Sequence, residues 1–503
     1  MRENCLKKVL IVGGGTAGWM SAAVLLHSLG KNYEIALIES DEIATVGVGE
    51  ATIPSIIKFN ALIGIDEDEF MRQTQATFKL GIQFKNWGAL GESYIHGFGS
   101  MGRKTGLVDF HHYWLKAHQA GKASRFDDYS INLLACENNK FTRASSENLN
   151  SPLADIRHAF HFDAGLFARY LRTYSEKLGV KRTEGKIIGV NRHAESGFVT
   201  SVTMANGDVH AADLFIDCSG FRGLLIEQTL QTGYDDWSHW LPCDSALAVP
   251  CVSTSPLLPY TRATARSAGW QWRIPLQSRI GNGHVYSSQF MGQQEATDIL
   301  LNNLDGQVLA EPRLIRFVSG KRKKLWNKNV VAIGLASGFI EPLESTSIHL
   351  IQQGIVRLIE LFPNMGFDQA DIDEYNRQAQ TEFEQVRDFI ILHYHATQRT
   401  DSEFWRYCRN MEVPDTLKHK TELFRSNGRF FHKNDELFGE TSWVQVMFGQ
   451  GIKPLGYHPL VENTAHEPIF RMMDNVRAVM HGVVKQMPGH EQYIADHCKA
   501  SAL

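Results

Sequence analysis

The stretch KKVLIVGGGTAGWMSAAVLLHSLG, from Lys7 to Gly30, restricts the folds open to this chain more than any other. The run KKVLIV has the pattern of a buried strand, and the residues from Trp19 onward read as a helix that stops at Gly30. A second apolar run, YEIALIES, follows at once and ends in the acidic Glu39. Strand, tight turn, helix and strand in that order make a βαβ unit. Gly13, Gly15 and Gly18 stand in GxGxxG register there, with Thr16 and Ala17 in the same turn and Glu39 about 20 positions beyond. The parts act together on a dinucleotide. Glycine backbone approaches a pyrophosphate closely, the helix N-terminus turns free N–H groups toward it, and Glu39 accepts from ribose hydroxyls. The chain therefore reads as an α/β, doubly wound, dinucleotide-binding protein.

Composition narrows the partners. At 503 residues with 43% hydrophobic content the chain can build two or three sizeable cores. A formal net charge of -4 and a pI near 6.6 leave no broad basic face, which argues against nucleic acid or an anionic membrane as the main partner. Seven cysteines are scattered without a CxxC pair, and an odd count does not suit a secreted disulfide framework. The first residues have a basic start and an apolar run, but glycines break that run and no A-x-A site follows, so strand and turn explain it better than a signal peptide. No apolar stretch approaches the roughly 20 residues of a membrane span. The expectation is a soluble, cytoplasmic protein that handles small molecules.

Further along, EDEFMRQTQATFKLGIQFKNW reads as helical and SYIHGFGSMGRKTG as a loop. Alternating strands fill about residues 182–222, with Asn206-Gly207 marking a hairpin turn, and ADLFIDCSGFRG closes them with an acid and a glycine suited to a second edge of the cofactor site. SAGWQWRIPLQSRIGNGHVYSSQF reads as two antiparallel strands. NVVAIGLASGFIEPLESTSIHLIQQGIVRLIELF reads as strand, loop and helix, with Ser345 or Thr346 as the N-cap and acids complementing the helix dipole. Beyond about residue 366 the pattern is strongly helical. The expected division is a cofactor-binding module over 1–365, with an inserted antiparallel sheet whose parts at about 85–160 and 230–320 face the substrate, and a mostly helical region over 366–503.

No Gly-Lys-Ser phosphate loop, HExxH or paired-cysteine motif is present. His111 with His112, and His158 near His161, read as structural or surface histidines, because adjacent residues on one chain rarely point at one metal; no metal site is expected. KRKK at 321–324 reads as a solvated charged loop, and Lys79, taken by itself, as a solvated helix lysine.

Taken together, GGGTAGWMSA, GVGEATIPSI, FKLGIQFKNW, HGFG, HYW, HFDAGLFARYL, LFIDCSGFRGLLI, GWQWRIP, VYSSQF, GFIEPLESTSI and RDFI followed by RTDSEFWR resemble the flavin-dependent tryptophan halogenases. The W-x-W-x-I-P signature (Trp270, Trp272, Ile274, Pro275) separates that family from the related flavin monooxygenases. The resemblance implies an FAD/NAD(P)-binding doubly wound fold of the flavin monooxygenase type with an added, mostly helical substrate-side region. It implies FAD bound through Gly13, Gly15, Gly18 and Glu39, with Gly47, Gly49, Glu50 and Ala51 against the isoalloxazine and Leu335 and Ile348 on the same side. Reduced FAD, supplied by a separate reductase, would react with O2, and chloride or bromide, held at Thr346 and Ser347, would leave as hypohalous acid. That acid would pass through a tunnel to Lys79, assisted by Glu344, with Ser345 beside it. Trp270 and Trp272 would keep the organic substrate from the flavin, and His96, Phe98 and Trp443 would line the slot for an aromatic ring.

The chemistry of these residue types agrees. An ammonium can hydrogen-bond the leaving oxygen of an electrophilic halogen donor, and a carboxylate can steady the arenium cation and take its proton. Two departures matter. Ser347 stands where the family has glycine, which puts halide choice in question, and the segment HKNDELFGETSWVQV is shorter and lacks most of the tyrosine, phenylalanine and glutamate groups that clasp the amino acid in tryptophan enzymes. The expected reaction is halogenation of indole or a similar electron-rich arene; the alternative is aromatic hydroxylation by a flavin monooxygenase.

Overall fold

The computed structural model describes residues 5–41, 49–145, 151–432 and 436–501. The chain forms two compact units, each assembled from three stretches: Met1–Gln75, Phe162–Asp244 and Arg316–Glu384 in the first, Ala76–His161, Ser245–Ile315 and Gln385–Leu503 in the second.

The first unit is built on a six-stranded sheet, in the order Trp326–Asn327, Val330–Ala332, Leu214–Asp217, Lys8–Val12, Glu34–Glu39, Lys181–Glu184. All neighbours are parallel except the short antiparallel edge pair Trp326–Asn327 with Val330–Val331. A parallel sheet is covered on both faces, so its strands read as continuous apolar runs rather than alternating ones. Leu10, Val12, Ile38, Phe215 and Val330 sit in one buried cluster, joined by Leu225 and Ile226 and by Val199 and Val202 of a separate hairpin. That hairpin pairs Val199–Met204 with Val209–Ala211 around Asn206-Gly207, with Gly207 at φ 92, as the Asn-Gly dipeptide predicts. The Thr16–Leu29 helix ends at Gly30, also at positive φ.

The second unit is organised by a seven-stranded sheet in the order Arg313–Arg316, Ser245–Val252, Arg279–Tyr286, Gly269–Pro275, Thr261–Arg266, Gly81–Lys85, Ser93–Gly97. The two strands expected around GWQWRIP form here as an antiparallel pair, with Trp270 opposite Val285 and Trp272 opposite Gly283. Helices Glu403–Asn410, Asp415–Asn427, Glu440–Gly449, His466–Gln486 and His490–His497 make up most of the remainder.

Three local expectations need correction. SYIHGFGSMGRKTG, expected as a loop, opens with the strand Ser93–Gly97. The helix beginning at Glu67, whose N-cap Asp66 accepts from the Glu69 N–H, ends at Gln73; Thr74 follows as its C-cap and Gln75 turns to φ 56. Residues 77–79 and 81–85 are strands, so Lys79 lies on a strand and not on a helix. The period of two in T-F-K-L-G-I-Q-F-K, rich in β-branched and aromatic residues, is the signal that the helical reading overrides. KRKK is likewise no solvated loop in its first half: Lys321 and Arg322 are buried in the strand Gly320–Arg322. Lys321 pairs with Asp235 at 2.9 Å; Arg322 pairs with Glu227 at 2.9 Å and lies over the Tyr234 ring. The acids that make this burial tolerable come from about 90 residues away, beyond the reach of any local window.

Candidate active site

The residues expected on the cofactor side lie in the first unit. At the C-terminal end of the Lys8–Val12 strand the chain turns through Gly13, at φ 111, so close to the next strand that a Cβ there would stand 2.3 Å from the Cys218 carbonyl oxygen. A Cβ at Gly14 would collide with the Glu39 carboxylate. Only glycine fits either position. The helix from Thr16 then starts with Gly15 as N-cap, with no capping side chain and no acid in its first turn. Its first N–H groups and the positive end of its dipole are therefore left to attract an anion, which fits a dinucleotide's diphosphate. Glu39 is fixed by Arg182, by the Trp19 Nε1–H at 3.2 Å and by Arg172 at 3.4 Å, a set that sequence reading misses.

Gly49, Glu50 and Ala51 form a short strand, whereas Gly47 lies outside the described residues. Leu335 sits in the turn Gly334–Ala336, and Ile348 is buried in the helix Ser347–Glu360. Asp217, expected to border the cofactor, is buried with its oxygens taken by the N–H groups of Ser219, Leu225 and Ile226 and by the Ser219 hydroxyl, so it braces the loop locally.

The EPLESTS stretch is more contorted than a simple helix start. Pro342–Glu344 form a single tight turn, Ser345 follows in the left-handed region at φ 60, and the helix begins at Ser347. Thr346 occupies the N-cap position, but its hydroxyl makes no capping bond; it is fully buried, with no hydrogen-bond partner among the described residues. Of the two expected caps Thr346 takes the N-cap position, but its side chain does not cap, because Thr346 adopts helical backbone angles rather than the extended ones a capping residue needs. Glu344 is 1% exposed. A strained residue, a buried hydroxyl without a partner among the described residues and a buried carboxylate thus fall on three consecutive positions.

The residues expected on the substrate side lie in the second unit. Lys79 is fully buried, its Nζ 5.4 Å from the centroid of the Phe98 ring. Its strand is pinned by a buried polar chain. The Thr77 hydroxyl donates to the Pro275 carbonyl at 2.7 Å and meets His161 Nδ1 at 2.9 Å, and His161 Nε2 meets the Thr261 hydroxyl at 2.9 Å. Because the Thr77 proton is spent on Pro275, His161 must donate through Nδ1. Burial first, then the Lys79 charge, hold its pKa well below the usual imidazole range. On the next residue the Phe78 N–H donates to His490 Nε2 at 3.2 Å, and His490 Nδ1 donates to the Leu257 carbonyl at 2.8 Å; burial lowers this imidazole to about 4. Two neutral histidines thus hold the strand that carries the ammonium. His161 belongs to a pair expected to be structural, and His490 gives no sequence signal.

Trp270 and Trp272 are both buried with ring centroids 6.2 Å apart, and Trp272 Nε1 has no hydrogen-bond partner. Ile274 and Pro275 complete that strand, so Pro275 links the tryptophan motif to Thr77, two residues from Lys79. His96 and Trp443 join an aromatic cluster through Phe389: His96 lies 5.6 Å and Trp443 4.9 Å from its ring, and Phe438 stacks on it at 3.9 Å. Phe430 stacks on Trp443, and Lys420 Nζ lies over that indole at 4.4 Å while pairing with Glu436. Of the shortened segment, Lys433, Asn434 and Asp435 lie outside the described residues. Phe389 is within reach of sequence reading, inside RDFI; Phe438 sits in an otherwise polar stretch.

Among the described residues no group of three or more His, Cys, Asp or Glu could hold a metal ion, and no helix is long and apolar enough to cross a membrane.

A doubly wound sheet with a glycine turn in one unit, and a buried lysine strand tied to a tryptophan-rich sheet in the other, are the parts of a flavin-dependent oxidoreductase. Similarity to known proteins specifies which. The sequence model of the tryptophan halogenase family matches residues 8–466, and the chain belongs to that family. Tryptophan 7-halogenase RebH of Lentzea aerocolonigenes is 32% identical, over 97% of this chain and 98% of that protein. Among solved structures, Xcc4156, a flavin-dependent halogenase from Xanthomonas campestris, matches at 49% identity and a TM-score of 0.96 over 99% of this chain and all of that one. BrvH, a flavin-dependent halogenase from Brevundimonas sp. BAL3, matches at 45% identity and a TM-score of 0.94 over 98% of this chain and 99% of that one. The protein is a flavin-dependent halogenase.

Proposed function

We propose that the chain uses FADH2, O2 and bromide or chloride to halogenate indole or a similar electron-rich arene, with Lys79 and Glu344 as the reacting groups. One observation carries the reading: a lysine with no solvent exposure, on a strand braced by neutral histidines, in a unit whose wall is aromatic. Burying a lysine is costly, and buried titratable groups cluster at functional sites. Bound reduced flavin, with oxygen, supplies the oxidising equivalents that turn halide into hypohalous acid. Gly13, Gly15, Thr16, Ala17 and Gly18 hold its diphosphate and Glu39 its ribose, with Gly47, Gly49, Glu50, Ala51, Leu335 and Ile348 along the ring. The orphan Thr346 hydroxyl and the first N–H groups of the Ser347–Glu360 helix suit a halide, since both offer protons to an anion. At Lys79 the ammonium donates to the hypohalous oxygen as its bond to halogen breaks. The halogen joins the arene carbon, and the ring proton leaves to the Glu344 carboxylate. Trp270 and Trp272 wall off the flavin, while His96, Phe98 and Trp443 hold the ring.

A separate flavin reductase supplies FADH2, most simply in the cytoplasm where NADH is available. The short segment before Trp443 leaves no clasp for an amino acid's charged ends, so indole is turned over in preference to free tryptophan. The test is reconstitution: purified protein, FAD, a reductase, NADH and either halide, with indole and tryptophan in separate reactions read by mass spectrometry. A halogenated indole that disappears without halide supports the reading. A hydroxylated product independent of halide, or tryptophan turned over far better than indole, contradicts it.

A further inference from the structure

The seven-stranded sheet ends at the strand Ser93–Gly97, which carries His96 beside Gly97. On its inner side this strand pairs with Gly81–Lys85, Ile82 standing opposite His96, and the Phe98 N–H prolongs the ladder by donating to the Leu80 carbonyl at 2.9 Å. The Gly97 N–H and carbonyl point the other way, and among the described residues no further strand pairs with them. A side chain takes that place. Gln445, 5% exposed on the helix Glu440–Gly449, accepts from the Gly97 N–H through Oε1 at 2.9 Å and donates from Nε2 to the Gly97 carbonyl at 3.3 Å. Because the Gly97 N–H can only donate, the orientation of the amide is fixed. One amide thus stands in for a neighbouring strand across a separation of 348 residues. At Gly97 only the backbone can be gripped, since a Cβ there would stand 2.2 Å from Leu133 Cδ1.

What this clamp joins gives it a role. Trp443 lies two residues before Gln445 on the same helix, His96 and Phe98 flank Gly97, and Leu80, which holds Phe98, directly follows Lys79. Phe389 fills the corner, its ring 5.6 Å from His96 and 4.9 Å from Trp443. Ring contacts of this kind persist over centroid separations of about 4.5–7 Å, whereas a pair of hydrogen bonds holds its two partners to within about half an ångström. We propose, on the reading of His96, Phe98 and Trp443 as the arene slot, that Gln445 is a positioning residue of the halogenation reaction. Its amide sets the spacing between the Trp443 wall and the His96–Phe98 wall. Through Phe98 and Leu80 it also ties that spacing to the chain that carries Lys79.

The test compares Q445M and Q445E with wild type, all full-length and FAD-loaded. Methionine keeps the length of the side chain and removes both hydrogen bonds. Glutamate restores both only when its carboxyl is protonated, since a neutral acid, like an amide, presents one acceptor and one donor. Indole affinity is measured by calorimetry without reductant or halide, and kcat and KM for halogenated indole are measured alongside. Q445M should bind indole at least fivefold more weakly and raise KM to match, with kcat changed by no more than about twofold, the pattern of lost binding rather than lost chemistry. FAD affinity and the rate of FADH2 oxidation should stay at wild-type values. In Q445E the same weakening should be present at about pH 8 and recede toward about pH 6, as the carboxyl, whose pKa burial raises, takes up its proton. Neither wild type nor Q445M should show that pH profile. Indole affinity and KM equal to wild type in Q445M, or a weakening in Q445E that does not change with pH, overturns the proposal and leaves Gln445 a contact that serves stability alone. Wild-type protein that binds indole yet yields no halogenated product contradicts the proposed reaction and not the clamp, because affinity is read apart from turnover. Absence of saturable indole binding to wild type overturns both.

Discussion

The glycine turn of the first unit and the Lys79 strand of the second, the two places where the proposed function puts a guest molecule, are built by opposite means. The turn is assembled from neighbours in sequence: Gly13 and Gly14 stand where backbone and carboxylate come too close for a Cβ, and the helix that follows is left uncapped. The Lys79 strand has almost no local specification. Its fixed position depends on Pro275, His161, Thr261, Leu257 and His490, at sequence separations of up to 412 residues. The contrast teaches that a binding motif made of backbone is short-range and legible, whereas an ammonium placed for chemistry needs a buried polar frame that only the folded chain supplies.

Breaking the turn should have the largest effect on cofactor binding. Gly13→Val puts a Cβ into the Cys218 carbonyl at a φ that a branched residue cannot adopt, so FAD affinity, followed by flavin fluorescence, should fall by a factor of about 100 or more, corresponding to about 3 kcal/mol of strain. Next in size, Glu344→Gln should cost roughly 100-fold in halogenated product while flavin oxidation is unchanged; an equal loss of both would mean that Glu344 only supports the turn. The frame of the Lys79 strand makes a pH prediction. An imidazole whose folded pKa is about 4 and whose unfolded value is about 6.5 binds its proton more readily in the unfolded chain, so stability rises with pH across that interval and is lost as pH falls from 6.5 toward 4. The His490 contribution is on the order of 3 kcal/mol. Denaturant melts of His490→Gln should show a shallower loss over that window than wild type; His111, His112, His161, His284 and His395, also lowered, contribute to the remaining slope. The smallest expected effect is at Ser345: glycine tolerates φ 60 without strain, so Ser345→Gly should raise stability by about 0.5–1 kcal/mol, measured by thermal unfolding.

The same division governs what can be read from the sequence. The βαβ unit, the Asn206-Gly207 hairpin, the antiparallel pair around Trp270 and Trp272, and the helical C-terminal stretch are all local patterns, and all form. The errors are residues whose environment is set at long range. Sequence alone places Lys79 on a helix because it extends the preceding acidic helix across Gln75, and it leaves Lys321 and Arg322 in solvent because Asp235 and Glu227 are remote. His490 and Phe438 escape anticipation, since a lone histidine on a helix and a phenylalanine in a polar segment acquire meaning only from Phe78 and Phe389.

The central claim, that a buried ammonium delivers the halogen, is tested most directly at Lys79 itself. Reconstituted Lys79→Ala should consume O2 and oxidise FADH2 at the wild-type rate while halogenated indole falls by a factor of about 1,000 or more. Halogenated product equal to wild type would contradict the account, and parallel loss of flavin oxidation would assign Lys79 to the structure of the unit instead.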